Sequence, residues 1–180
     1  MRELSLNILD IAQNSVKAGA QHIDITLMET DELFTFAVKD DGCGMSEELL
    51  ARVKDPFTTT RTTRKVGLGI PFLTLAARQT GGDVTIESSV SPNTHGTLLE
   101  ASFYKKHIDF TPLGDIISTV VTLIQGNPDR DITFTHDMCG TVIRLSTAEM
   151  REMLGSVPLS EPDVLVWIRE YLTEQYGQIK

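Results

Sequence analysis

The chain has 180 residues, of which 41% are hydrophobic and 23% are charged, as in a soluble globular protein of one domain with room for a small extension. Its net charge of −9 argues against general nucleic-acid binding, which requires a basic surface. No apolar run reaches transmembrane length, and the N-terminus lacks the apolar core of a signal peptide. The two cysteines, Cys43 and Cys139, lie far apart, which predicts a cytoplasmic protein with neither a disulfide framework nor a zinc site.

The first element is a predicted helix over residues 3–18, largely buried and ended by Gly19. One narrow stripe of this helix is polar and includes Asp10, Asn14 and Lys17, spaced three or four residues apart. The stripe is compatible with a solvent-facing surface. It is equally compatible with a site in which the amide oxygen of Asn14 binds Mg²⁺, Asp10 orients a water and Lys17 reaches a phosphate.

Alternating apolar residues predict two strands, residues 22–28 and 33–39, that form a hairpin. The second strand runs into Asp40-Asp41-Gly42-Cys43-Gly44-Met45. Glycine permits close approach of a ligand to the backbone, and a carboxylate at the strand end can accept a hydrogen bond from an exocyclic amine such as that of adenine. An ordinary acidic turn remains the alternative. Ser46 is the predicted N-cap of a short helix that ends near residue 54.

A basic segment interrupts this acidic protein, since residues 52–65 carry five lysines and arginines and one acid. The segment 55–65 is rich in hydroxyls and cations and has little apolar content, which favours a loop that folds over phosphates, with a solvated loop as the alternative. A helix is predicted to open at Gly69 and to break at residues 81–82, and its N-terminus has affinity for anions. Strands are predicted at about residues 83–88 and 97–103.

In their order and spacing, these stretches resemble the GHKL superfamily of DNA gyrase, heat-shock chaperone, histidine kinase and MutL-type ATPases. The acid and asparagine of the family's N-box correspond to Asp10 and Asn14, and its first glycine box corresponds to residues 40–44. Asp55-Pro56-Phe57 resembles the start of the nucleotide lid in histidine kinases, and Gly67-Leu68-Gly69 resembles the second glycine box. The resemblance covers residues 1–104.

The resemblance implies an α+β fold, a two-layer α/β sandwich known as the Bergerat ATP-binding fold, with helices on one face of a mixed sheet. It implies ATP and Mg²⁺ as cofactors, with Asp10 as the catalytic acid or base and Asn14 as the metal ligand. The nucleotide-binding residues that it implies are Asn14, Lys17, Asp40, Gly42, Gly44, Met45, Phe57, Thr59, Thr60, Arg61, Arg64, Lys65, Gly67, Leu68, Gly69 and Thr97.

Two departures from the family pattern bear on activity. Asp10 stands where many family ATPases have glutamate, so the carboxylate reaches roughly 1.5 Å less far, which suits a kinase or a slow switch better than a fast ATPase. Lys65 stands where the first glycine of the second box is expected. Residues 58–66 are expected to form a lid that ATP orders more than ADP does.

Residues 105–180 are predicted to form a small α+β extension that packs against the main domain. Its predicted elements are a helix over residues 112–125, a hairpin of residues 131–136 and 141–145, a helix over residues 147–154, and a last helix that begins at Ser160. No catalytic constellation is evident in this extension.

Histidine kinases carry their phosphorylated histidine on a helical hairpin before the N-box, which here begins within the first ten residues. The four histidines, His22, His95, His107 and His136, are expected to be ordinary surface or edge residues. Two hypotheses stay open. One is an ATP–Mg²⁺-dependent kinase of histidine-kinase or anti-sigma type that acts on a partner protein in trans. The other is an ATP-gated binding switch, or a slow MutL-like ATPase, without kinase activity. A homodimer is also left open.

Overall fold

A computed structural model describes residues 3–54 and 69–179. Within these residues the chain forms six helices and six strands. In chain order they are α1 Leu4–Lys17, β1 His22–Glu29, β2 Leu33–Asp40, α2 Glu47–Lys54, α3 Gly69–Gln79, β3 Val84–Ser89, β4 Gly96–Tyr104, α4 Ile116–Gly126, β5 Asp131–Met138, β6 Thr141–Ser146, α5 Thr147–Leu154 and α6 Pro162–Gly177.

The strands form one mixed sheet in the order β3-β4-β2-β1-β5-β6. All neighbours are antiparallel except β1 and β5, which are parallel. Alternate residues of each inner strand are buried, for example Ile23, Ile25 and Leu27 of β1, because the helices cover one face of the sheet. The predicted two-layer sandwich with a mixed sheet is confirmed.

Helix α1 ends as its sequence predicts. Gly19 adopts a φ of 80°, and the N–H of Ala20 donates to the carbonyl of Ser15 while that of Gly19 donates to Val16. These two bonds form a Schellman motif, which satisfies carbonyls that the helix itself leaves open. The helix is less buried than expected at Leu6, whose side chain is exposed.

The C-terminal segment continues the same sheet, because β5 pairs with β1 along its whole length. The division of the chain at residue 104 stays a prediction. Helix α4 begins at Ile116, later than predicted, since the carbonyls of Pro112 and Leu113 instead accept hydrogen bonds from the start of α1. Helix α6 begins at Pro162 with Glu161 as its N-cap, so the predicted start at Ser160 is wrong by two residues.

His136 is neither a surface nor an edge residue, which corrects the expectation from sequence. It lies on β5, an inner strand, is 1% exposed, and bonds Tyr176 through Nδ1 at 2.8 Å. The other three histidines are exposed, as expected. None of the helices in the described residues is long and apolar enough to cross a membrane.

Candidate functional site

A cleft lies between α1, the end of β2 and the first turn of α3. Its volume is about 760 Å³ when the open side is counted out to solvent. The lining residues are Ile11, Asn14, Ser15, Ala18, Val38, Asp40, Gly44, Met45, Leu49, Val53, Ile70, Ile86, Thr97 and Leu99. The wall is mostly apolar and carries few polar groups, which suits a flat heterocycle recognised by a small number of hydrogen bonds.

Asp40 is the acid on this wall, at the last position of β2. The backbone N–H of Gly42 donates to its Oδ1 at 2.9 Å, and the hydroxyl of Ser15 donates to its Oδ2 at 2.5 Å. Each carboxylate oxygen has a second lone pair after these bonds. The two donors hold the carboxylate in one orientation, in which it can accept a hydrogen bond from a ligand amine.

The loop after Asp40 is held by β3 and β4. Gly44 has a φ of 70°, and a Cβ atom there would lie 1.9 Å from the carbonyl oxygen of Ser89, so the position requires glycine. The N–H of Met45 donates to Oγ of Ser88 at 2.8 Å. The same Oγ lies 2.8 Å from Oγ1 of Thr97, and this contact fixes Thr97 on the cleft wall.

Asp41 is bonded to β1 and is absent from the cleft lining. Its Oδ1 accepts the backbone N–H groups of Gln21 and His22, and its Oδ2 lies 2.7 Å from Nδ1 of His22. Burial acts to raise the pKa of Asp41, but the hydrogen bonds from His22 and Gln21 and the charge of His22 bring it below its ordinary value. The two adjacent acids therefore have different roles, one in the cleft and one in the structure of the loop.

The polar end of α1 meets the start of α3. Asn14 is half-buried and lines the cleft. One turn earlier, Asp10 packs against Gly69, the first residue of α3, so closely that a Cβ atom on Gly69 would lie 1.8 Å from Oδ2. The cleft lining thus includes the amide of Asn14 and the first turn of α3, a setting suited to phosphate and a hard cation. Asp10 contacts the start of α3 but is itself absent from the lining.

Several predicted site residues are not brought into this arrangement. Lys17 is exposed in the last turn of α1 and is absent from the cleft lining. Eight of the predicted nucleotide-binding residues lie outside the described residues, namely Phe57, Thr59, Thr60, Arg61, Arg64, Lys65, Gly67 and Leu68.

Ser15 and the apolar wall of the cleft were not predicted from the sequence. Val38 and Leu99 could have been placed there from strand alternation, because each occupies an inward position next to the glycine loop. The bond of Ser15 with Asp40 spans 25 residues of sequence, and no local pattern indicates it. Among the described residues, no group of three or more His, Cys, Asp or Glu side chains could hold a metal ion.

The family described as "Histidine kinase-, DNA gyrase B-, and HSP90-like ATPase" matches residues 2–107. The chain belongs to this family. It is 30% identical over 97 residues to the tetrathionate sensor histidine kinase TtrS of Salmonella typhimurium, a match that covers 53% of this chain and 16% of that kinase. It is 28% identical over 106 residues to sporulation kinase A of Bacillus subtilis, which covers 59% of this chain and 17% of that kinase. The matches thus span about a sixth of the length of these kinases.

The fold is similar to that of the N-terminal domain of a DNA repair protein, with a TM-score of 0.56 and 15% identity. The superposition covers 81% of this chain and 53% of that domain. At this level of identity the similarity concerns the fold alone, and it extends beyond the residues that the family match covers.

Proposed function

We propose that this protein binds ATP with Mg²⁺ in the cleft and transfers the γ-phosphate to a separate partner protein. The observation that carries the proposal is the carboxylate of Asp40, oriented by Ser15 and Gly42 on an otherwise apolar wall. The adenine lies in this apolar part, and its exocyclic amine donates to Asp40. Membership of an ATPase family supports this assignment.

The phosphates lie towards the polar end of α1. Asn14 supplies an amide oxygen for Mg²⁺, which uses few protein ligands and fills the remainder with water and phosphate oxygens. When bound, the ion neutralises charge on the phosphates, which is a main requirement of phosphoryl transfer. The positive end of the α3 dipole favours anions at the same place.

The phosphate acceptor belongs to another protein in this proposal. All four histidines lie in the described part of the chain, on strands or in loops, and His136 is buried. None is therefore presented on a helix as an accessible acceptor. The relatives whose names identify them as sensor histidine kinases favour histidine as the acceptor residue in the partner.

Transfer can be tested with ATP labelled on its γ-phosphate, incubated with the protein and a fractionated lysate of the source cells. We expect label on a partner protein, stable in alkali and lost in acid, as for phosphohistidine. Asn14→Ala should abolish this label, while Gln13→Ala, one position away on the exposed side of α1, should leave it unchanged. Label that is independent of Asn14 would come from another kinase and would contradict the proposal.

A second function, an ATP-gated binding switch without transfer, is favoured by one observation. The side chain of Asp10 is shorter than the glutamate found at this position in many family ATPases. Its carboxylate also lies against Gly69 at the start of α3, so it is poorly placed to activate a water. The switch predicts that a partner binds in the presence of a non-hydrolysable ATP analogue and that no label is transferred from ATP. The kinase predicts label on the partner, which separates the two functions.

A further inference from the structure

A groove lies on the far end of the molecule from the cleft, between edge strand β6 and the helices α5 and α6. Its volume is about 400 Å³, and its lining residues are Arg144, Leu145, Ser146, Glu149, Met150, Met153, Trp167 and Tyr171. Since β6 is the last strand of the sheet, this groove borders an open sheet edge. Nothing in the nucleotide site accounts for it.

The groove exposes large apolar side chains on both helices. Trp167 stacks on Tyr171 one turn later, with ring centroids 5.5 Å apart and an angle of 12° between the planes. Trp167 remains 49% exposed despite this stack, and Met153 on α5 is 74% exposed. Tryptophan, tyrosine and methionine are enriched in protein interfaces, and tryptophan and tyrosine are frequent among the residues that dominate binding energy.

The two helices that border the groove are rich in carboxylates. From residue 147 to residue 177 the chain has six acids and two arginines, a net charge of −4. Both arginines are engaged elsewhere, Arg151 with Asp131 and Arg169 with Ser118. Asp163, Glu170 and Glu174 lie on the same stripe of α6 as Trp167, because they are spaced three or four residues apart.

Few of these acids are neutralised within the structure. Glu149 forms an ion pair with Arg144 at 2.8 Å. Among the described residues, no lysine, arginine or histidine lies within ion-pair distance of Asp163, Glu170 or Glu174. The surface therefore combines an aromatic anchor site with a surplus of negative charge.

We propose that the groove of β6, α5 and α6 is a docking site for a basic amphipathic helix of a partner protein. Bulky apolar residues of that helix fill the space between Met153 and Trp167. Its lysines and arginines face Glu170 and Glu174, which lie on the stripe of α6 that carries Trp167. A helix in a groove buries its apolar stripe and pairs its charged flanks in this way. A second copy of this chain is a poor occupant, because each copy carries a net charge of −9. The inference concerns a surface outside the cleft, so it holds whether or not the protein transfers phosphate.

Trp167 is the single tryptophan of the chain, so its fluorescence reports directly on the groove. The probe is a synthetic amphipathic peptide of about 18 residues, long enough to form a helix, built from leucine and lysine. The control peptide has the same leucines with glutamate in place of lysine. We expect the lysine peptide to shift the Trp167 emission to shorter wavelength in a saturable manner, and the glutamate peptide to have no effect.

Two variants and two controls locate the binding. Glu170→Lys should lower the affinity for the lysine peptide by about ten-fold or more, since it places a like charge against the peptide. Met153→Ala should also lower this affinity, because apolar contact is lost. Glu100→Lys, an exposed charge reversal on β4, and Ile108→Ala, whose side chain is 94% exposed, should leave the affinity unchanged.

Three results of the peptide titrations would overturn the proposal. They are the absence of an emission shift, an equal response to both peptides, and equal weakening by Glu170→Lys and Glu100→Lys. An emission shift that depends on protein concentration in the absence of peptide would mean that a second copy occupies the groove, and this result would also overturn it.

Discussion

The hydroxyl of Ser15 on α1 donates to Oδ2 of Asp40 at the end of β2, at 2.5 Å. The bond joins two motifs that are 25 residues apart in the sequence. Ser15 is 4% exposed, so solvent competes little for its hydroxyl. The orientation of the cleft acid therefore depends on α1 as well as on the glycine loop, since Gly42 holds the other carboxylate oxygen.

Ser15→Ala tests this link. The variant loses one of the two donors that orient Asp40. Because a single hydrogen bond makes a modest net contribution to free energy, we expect the affinity for ATP to fall by about two- to ten-fold. Titration calorimetry measures the effect. Ser5→Ala is the matched control, because Ser5 is also buried on α1 but bonds Glu3 instead. An unchanged ATP affinity in Ser15→Ala would mean that Gly42 alone suffices to orient Asp40.

Asn14→Ala tests the metal site. We expect the variant to bind ADP in the absence of metal as the parent does, because Asp40 and the apolar wall are untouched. The gain in ATP affinity on addition of Mg²⁺ should shrink, since the amide oxygen is lost. Titrations with and without Mg²⁺ measure that gain. If the gain is as large in Asn14→Ala as in the parent protein, Asn14 has only a structural role.

His136 predicts a pH dependence of stability. Burial lowers its pKa, and the opposing charges of Glu29 and Asp137 do not cancel this effect. The unfolded chain therefore binds a proton at higher pH than the folded protein does. The free energy of unfolding should fall as the pH drops through the ordinary histidine value of 6.5.

Urea unfolding at about pH 7.5 and pH 5.5 measures this loss. His136→Gln should be less stable than the parent at the higher pH, because the buried imidazole and its bond with the half-buried Tyr176 are lost, but it should lose less stability between the two pH values. His107→Gln, at an exposed histidine, is the control and should behave as the parent. If His136→Gln loses as much unfolding free energy between the two pH values as the parent does, titratable groups other than His136 cause the loss.

Local patterns predicted most of the elements, because each of them has its own signal. The alternation of residues 22–28 and 33–39 placed β1 and β2, and Gly19 marked the end of α1. Ser46 was correctly predicted as an N-cap, since its Oγ accepts the N–H of Leu49 at 3.3 Å. These features depend on residues close together in the sequence.

The errors arise where distant segments meet. The start of α4 is displaced because Pro112 and Leu113 pair with the first residues of α1, more than 100 positions away. His136 follows Ile132 and Phe134 at alternate positions of β5, so the strand period indicated burial, although the residue type favoured the surface. Ser15 could not be assigned to the cleft, because its partner lies on a different element.

The most direct test of the account compares ATP with GTP. Asp40 accepts a hydrogen bond from an exocyclic amine, and guanine presents a carbonyl oxygen at the corresponding ring position. Titration calorimetry of the parent should therefore give ATP an affinity at least about a hundred-fold above that of GTP, since a site built for one hydrogen-bond pattern rejects the other.

The same titration applied to two variants locates the recognition. Asp40→Asn should lower the affinity for ATP by about ten- to a hundred-fold, as expected for the loss of a charge-assisted bond. Asp41→Asn, whose parent residue bonds Gln21 and His22 away from the cleft, should change ATP affinity much less. Equal affinities of the parent for ATP and GTP, or equal effects of the two substitutions, would contradict adenine recognition by Asp40.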